Sequence, residues 1–226
     1  MTSHVLSKHC FTNRTGGVST GAFAALNLGS HVGDEESAVI QNRRIISEIY
    51  GDIQFMSQVH GNRVVVVEAV TDVDPTADAL VTGIPGITLA VQVADCIPLL
   101  LISDESVAAV HVGRRGLING VTEMALDVMR EMGAHEIQGI IGPAICGECY
   151  EVSEDIFQEV TSVAPEAASA TRSGTRALDL PKALVAILNR LGIPVQNEST
   201  CTLESKDHFS YRENAITGRQ AGLVWL

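Results

Sequence analysis

Two apolar runs, Ile87–Val93 and Val107–Val112, with a shorter third over 137–141, constrain this chain more than any other feature. They are rich in β-branched residues, and each is too short for an ordinary helix. They also lack the strict alternation of a strand with one wet face. Near-continuous apolar strands need cover on both sides. Aromatics are only 4% of the chain while hydrophobic residues reach 46%, so the covering layers must come mainly from Val, Ile, Leu and Ala. Further strands are expected over 63–69 and 221–226, with a turn at Asp104-Glu105 leading into the run at 107.

Helical periodicity fills the gaps. Glu36–Tyr50 reads as a helix closed by Gly51, and Glu154–Val163 as one capped by Ser153. Over 121–132, apolar residues at 121, 124, 125, 128 and 132 follow helical spacing, and Gly133 is the stop. Asp179-Leu180-Pro181 opens another helix, which Gly192 ends. Residues 15–29 are rich in Gly, Ser, Thr and Asn, the residues of turns and of close approach to a ligand. With no internal repeat and no low-complexity linker, 1–226 is read as a single layered α/β (α+β) domain. Its mixed sheets are flanked by helices; the order is not the regular βαβ of a doubly wound fold.

Charge and cysteine usage narrow the function. A net charge of −12 and a pI near 4.9 oppose nucleic acid and anionic membranes. A phosphate-bearing substrate would need a local arginine cluster, and Arg43-Arg44 and Arg114-Arg115 are the two pairs. Solvated surface positions are the alternative for both. Cysteines at 10, 96, 146, 149 and 201 are odd in number and scattered, as suits reduced thiols. The N-terminal stretch lacks signal-peptide order, and the longest apolar run falls far short of the roughly 20 residues that span a bilayer. A cytoplasmic protein is expected.

Three segments carry chemistry: Gln58-Val59-His60-Gly61, Ala94-Asp95-Cys96-Ile97-Pro98 and Val110-His111-Val112-Gly113-Arg114-Arg115-Gly116. His60, Cys96 and His111 fall near the ends of apolar strands, where they can converge on one sheet edge. One thiolate and two imidazoles suit zinc and could take copper, and three protein ligands leave a fourth position open for catalysis. The residues alone leave a second reading: a buried cysteine and two hydrogen-bonded histidines with no metal. Asp95 could orient a ligand imidazole or cap a turn. Glu151 could touch a substrate or form an ion pair. Cys146 and Cys149 have the C-x-x-C spacing, but as a single pair they read as incidental. His208 is assigned to a loop or core, and His4, His9, His31 and His135 carry no pattern.

Taken together, the motifs resemble the multicopper polyphenol oxidase-like (laccase-domain, YfiH/YlmD-like) family. The resemblance runs through Arg14-Thr15-Gly16-Gly17-Val18-Ser19, Leu26-Asn27-Leu28-Gly29 and Val32-Gly33-Asp34 with Asn42-Arg43. It continues through the three segments above, Ala77-Asp78-Ala79, Ile141-Gly142-Pro143 and Cys149-Tyr150-Glu151-Val152. It ends in Phe209-Ser210-Tyr211-Arg212 and Gly218-Arg219-Gln220. It implies the YfiH-like fold, with His60, Cys96 and His111 as zinc ligands and catalytic centre. It also implies a purine nucleoside phosphorylase acting on adenosine, inosine, guanosine and methylthioadenosine, with adenosine deaminase activity. The partners implied are a purine nucleoside and inorganic phosphate, and Arg43, then Arg115, are the residues expected to bind phosphate. Two departures from the family pattern stand out. Val112 and Arg114 replace an alanine and a tryptophan, and Leu203-Glu204 follows Cys201-Thr202 where another cysteine is usual.

Rival readings follow from the same residues. Cys96 and His111 could be the nucleophile and base of a cysteine hydrolase or deamidase. A copper polyphenol oxidase (laccase) would need several coppers, and the seven histidines include no His-x-His pair. A zinc-stapled binding module would need a fourth ligand from Cys10 or His208. A role in peptidoglycan editing is the remaining alternative.

Overall fold

Alternation inside the apolar strands decides the architecture. In the computed structural model, which describes residues 8–226, twelve strands and five α-helices follow in chain order. They are β1 (His9–Phe11), α1 (Glu36–Tyr50), β2 (Asp52–Gln54), β3 (Val64–Val66), β4 (Ala79–Thr82), β5 (Ile87–Val93), β6 (Ile97–Ile102) and β7 (Val107–Val112). Then come α2 (Arg114–Ile118), α3 (Val121–Glu131), β8 (Gln138–Ile141), α4 (Glu154–Val163), β9 (Ala168–Ala170), β10 (Arg176–Leu178), α5 (Leu180–Arg190), β11 (Val195–Asn197) and β12 (Gln220–Trp225).

One sheet has the order β1-β12-β5-β2 and the other β11-β8-β6-β7-β4-β3, while β9 and β10 form a separate ribbon. Both large sheets are mixed: β2 is parallel to β5, β3 to β4 and β11 to β8, and the remaining neighbours are antiparallel. Successive side chains point to opposite faces, so each buried strand feeds two cores. Leu99 and Leu101 face one core with Ala108, Val110 and Val112. Leu100, Val107 and Ala109 face another, where they meet Leu89, Val91, Val93 and Val224 of the smaller sheet. The first core is closed by α3, α4 and α5, through residues such as Leu126, Val160 and Leu184. The outer face of the smaller sheet, with Ala90 and Leu223, is covered by Leu28, Phe55 and Ile46 of α1. The layers therefore run helix, sheet, sheet, helices. This is why the runs look apolar throughout although most of their pairings are antiparallel.

Several local expectations shift. The strand expected over 63–69 is only Val64–Val66, and β6, which directly follows Cys96, is a full central strand despite Pro98. Pro98 lies opposite His111, and its carbonyl accepts the Gly142 N–H. In α3 the buried stripe is Val121, Thr122, Ala125, Leu126 and Met129, while Met124 is exposed. Ser153 precedes α4 without a side-chain cap bond, whereas Asp179 caps α5 by accepting the Lys182 N–H. Gly51 ends α1 at a φ of 78°, which favours glycine. The turn-rich N-terminal segment is held by Asn42 of α1. This fully buried side chain accepts the Val18 N–H and donates to Ser19 Oγ and the carbonyls of Ala25 and Asn27.

Candidate functional site

The register of the larger sheet builds the centre of the site. Ala79 lies opposite Val110, so Asp78, one step before β4, comes level with His111. Asp78 is fully buried, and its Oδ1 accepts from His111 Nδ1 at 2.9 Å. The same carboxylate accepts three backbone N–H groups, those of Val59 at 3.3 Å, His60 at 2.9 Å and Gly61 at 2.7 Å. One carboxylate thus orients the ring of His111 and fixes the loop that carries His60. His60 lies in this loop, between β2 and β3, at a φ of 59°, and not at a strand end. Cys96 lies in the short connection between β5 and β6.

His60, Cys96 and His111 meet as a cluster whose ligand atoms all lie within 4.8 Å of one another. Cys96 Sγ is 3.9 Å from His60 Nε2, and the two imidazole rings have centroids 4.7 Å apart. Zinc bonds of roughly 2.3 Å to sulfur and 2.0–2.1 Å to nitrogen at a tetrahedral angle would need about 3.6 Å between such atoms. The donor set, its spacing and the Asp78 bond to the far nitrogen of His111 fit a first-row metal ion. Among the described residues these three form the whole of the cluster; Cys10 instead lies against the Tyr50 hydroxyl, and His208 bonds Ser205.

Charges inside the cluster reinforce one another. Burial pushes the Cys96 thiol up, but the adjacent His111 and then His60 outweigh it and bring the thiol down to about 6. Burial pulls His111 down, and Cys96 and Asp78 together raise it to about 9. Gly113 lets the parts close up. A Cβ there would stand 2.9 Å from Cys96 Sγ and 3.2 Å from His60 Cδ2.

The cluster opens into a cavity of about 760 Å³, in the size range of small-molecule sites. Arg114, Arg212 and Arg219 line it with Tyr150, Tyr211, Gln58 and His31. Arg219 is half-buried, and burial lowers its pKa while the nearby Cys96 and Asp95 raise it. Tyr150 is raised by burial and then by Cys96, so its phenol keeps its proton at neutral pH. The Arg212 guanidinium lies 5.2 Å from the centre of the Tyr150 ring.

The family model described as multi-copper polyphenol oxidoreductase laccase matches residues 8–226. The chain belongs to this family. Within it, a purine nucleoside phosphorylase of Streptomyces coelicolor is 46% identical, the match covering 96% of this chain and 94% of that protein. One of Corynebacterium glutamicum is 42% identical, over 96% and 93%. Among solved structures, a Neisseria meningitidis protein superposes with a TM-score of 0.89 at 36% identity, over 96% of this chain and 93% of that one. YlmD from Geobacillus stearothermophilus gives 0.85 at 28% identity, over 97% and 92%. The fold is that of this laccase-domain family.

In this laccase-domain protein the expected phosphate residues lie outside the cavity wall. Arg43 donates to the Leu28 carbonyl, pairs with Asp74 at 3.1 Å and stacks 3.9 Å over Phe55. Arg115 is exposed on α2, whereas its neighbour Arg114 lines the cavity and pairs with Glu159. Asp95 contacts neither imidazole. Its carboxylate accepts from Thr202 Oγ1 and the Arg212 N–H, with Asp95 itself at a φ of 95°, so it holds a turn, and it is Asp78 that orients His111. Glu151 is exposed and is not among the residues that line the cavity. His31, for which the sequence offers no pattern, lines the wall, while His4 lies outside the described residues. Asp78, Tyr150, Arg212 and Arg219 all stand inside the family motifs, but only their three-dimensional neighbours single them out.

Cys146 and Cys149 are not alone. With Cys201 and Glu204 they make a second group whose ligand atoms lie within 4.8 Å of one another. Among the described residues no helix is long and apolar enough to cross a membrane.

Proposed function

We propose that this protein is a zinc-dependent purine nucleoside phosphorylase, with residues 1–226 working as one domain. The observation that carries the proposal is the three-ligand cluster opening into a cavity walled by three arginines and a protonated tyrosine. The names of the Streptomyces and Corynebacterium relatives support the reaction class. Adenosine, inosine, guanosine and methylthioadenosine have in common a purine joined to C1′ of a ribose-type sugar, the part that such a cavity would hold.

In phosphorolysis a phosphate oxygen bonds to ribose C1′. The bond from C1′ to the purine nitrogen breaks, and the base leaves with the electron pair and takes up a proton. Arg212 and Arg219 in the cavity wall, with Arg114 also there but paired with Glu159, supply the positive charge that draws phosphate into an otherwise acidic protein. Tyr150 holds a proton that it can donate toward the leaving base. Gln58, which also lines the cavity, is fixed by bonds to both the N–H and the carbonyl of Gln92. His60, Cys96 and His111 would hold the zinc, which when bound would lower the pKa of a water molecule toward about 7 and so would supply a nucleophile for adenosine deamination as a side activity.

A second reading has its own support. Asp78, His111 and Cys96 form a chain of carboxylate, imidazole and low-pKa thiol, the arrangement of a cysteine hydrolase. Iodoacetamide labelling separates the two. In the phosphorylase, added zinc protects Cys96, and zinc removal abolishes phosphate-dependent release of adenine from adenosine. A zinc-stripped protein that keeps full activity, lost on alkylation of Cys96, would hand the case to the hydrolase.

A further inference from the structure

The second cysteine group lies behind the wall of the cavity. Cys146 and Cys149 stand in the turn between β8 and α4, and Cys201 and Glu204 in the turn after β11. The two turns meet where Ala144 bridges Cys201, and the Cys146 N–H points at Cys201 Sγ at 3.4 Å. All three cysteines are free and half-buried, so three thiols and a carboxylate converge without a disulfide.

We propose that Cys146, Cys149, Cys201 and Glu204 form a second zinc site, closed and structural, that braces the cavity wall. Four protein ligands drawn from two turns, three of them thiolates, match the closed coordination of structural zinc. Three thiolates and a carboxylate leave excess negative charge once zinc is bound. Arg172 stands ready to offset it, bonded to both Glu204 and Glu148. A cavity of about 380 Å³ touching Cys146 and Cys201 gives the ion an entry path. One disulfide among three thiols would leave the third thiol unpaired, whereas a single ion engages all three thiols and Glu204.

The site is tied to the cavity by short links. The Tyr150 N–H donates to the Cys146 carbonyl, so the turn that holds the cysteines also sets Tyr150. Asp95, next to Cys96, accepts the Ile145 N–H with its carbonyl and the Thr202 hydroxyl with its carboxylate, each donor adjoining a cysteine of the second group. Its other carboxylate oxygen accepts the Arg212 N–H. A metal clamping the two turns thereby fixes Tyr150 and Arg212 without touching substrate.

Elemental analysis of zinc in protein purified under reducing conditions tests this. Wild type is expected to hold about two zinc ions per chain and Cys96→Ala to keep about one. Glu204→Gln, at an exposed position that leaves folding intact, is expected to surrender the second ion to a chelator at least roughly tenfold faster. Cobalt substitution in Cys96→Ala should still give the thiolate charge-transfer absorption, which Cys149→Ser added to that variant should remove. A folded Cys96→Ala protein without zinc would overturn the proposal. So would an unreduced wild-type mass lighter by two hydrogens, with the difference removed by Cys149→Ser, since that marks a disulfide. These readings do not depend on the cavity's activity, so they stand or fall apart from the phosphorylase assignment.

Discussion

Asp78→Asn changes almost no volume and one charge, and it tests the account of how the cluster is held. In the native protein Oδ1 accepts from His60 N and His111 Nδ1, while Oδ2 accepts from Val59 N and Gly61 N. The amide nitrogen of an asparagine must replace one of these oxygens. Either choice sets a donor against two donors in a fully buried place. Two hydrogen bonds to a charged group, each contributing about 1.5–3 kcal/mol, are lost. Taking the low end for relaxation of the His60 loop gives a destabilisation of about 3 kcal/mol. For a chain of this size that lowers Tm by about 6–12 °C. With the amide nitrogen at the Oδ1 place His111 loses the partner that holds its proton on Nδ1, and with it at the Oδ2 place the loop that carries His60 is released; in both cases the carboxylate charge is gone, so zinc affinity should fall about 10–100-fold. Thermal melting of the metal-free protein and zinc competition against a chromophoric chelator read the two effects separately. A variant with wild-type zinc affinity and an unchanged Tm would refute the reasoning, because Asp78 would then orient nothing.

Gly113→Ala places a methyl group 2.9 Å from Cys96 Sγ, and it should weaken zinc binding by at least roughly tenfold with the fold retained, as read by zinc titration and circular dichroism. Arg219→Met should raise the KM for phosphate by at least roughly tenfold in steady-state kinetics while zinc content stays constant. Arg43→Ala should leave that KM unchanged and instead lower Tm, because Arg43 is spent on Asp74, Phe55 and the Leu28 carbonyl. Asn42→Ala removes an amide that bonds the Val18 N–H and shares its two hydrogens among three acceptors in a fully buried position, and it should cost about 3 kcal/mol or more in denaturant unfolding, with the cluster unaffected.

The fold was legible where periodicity and punctuation agree. α1, β5 and β7, each beside a glycine, and α4, preceded by Ser153, have the residue ranges that the sequence indicates. What periodicity does not carry is which sheet a strand joins. The runs at β5 and β7 look alike, yet they belong to different sheets and share one core. Pro98 hid the central strand β6, because proline argues against a strand interior until its position opposite His111 is seen. At the site, His60, Cys96 and His111 stood out through chemistry, but their convergence depends on Asp78. A buried aspartate in an Ala-Asp-Ala setting gives no sign in the sequence that it gathers three backbone N–H groups. Adjacent basic residues drew attention at Arg43-Arg44 and Arg114-Arg115, and of these Arg114 lines the cavity; Arg219, isolated in sequence, lines it too and has no pattern to mark it.

The products of adenosine turnover separate phosphorolysis from its rivals when zinc-loaded wild type is compared with Cys96→Ala in the presence and absence of inorganic phosphate. A zinc-dependent phosphorylase gives adenine and ribose 1-phosphate in equal amounts from wild type, only when phosphate is present, and neither from Cys96→Ala. Phosphate-independent release of adenine and free ribose, or undiminished phosphorolysis by Cys96→Ala, would contradict that assignment.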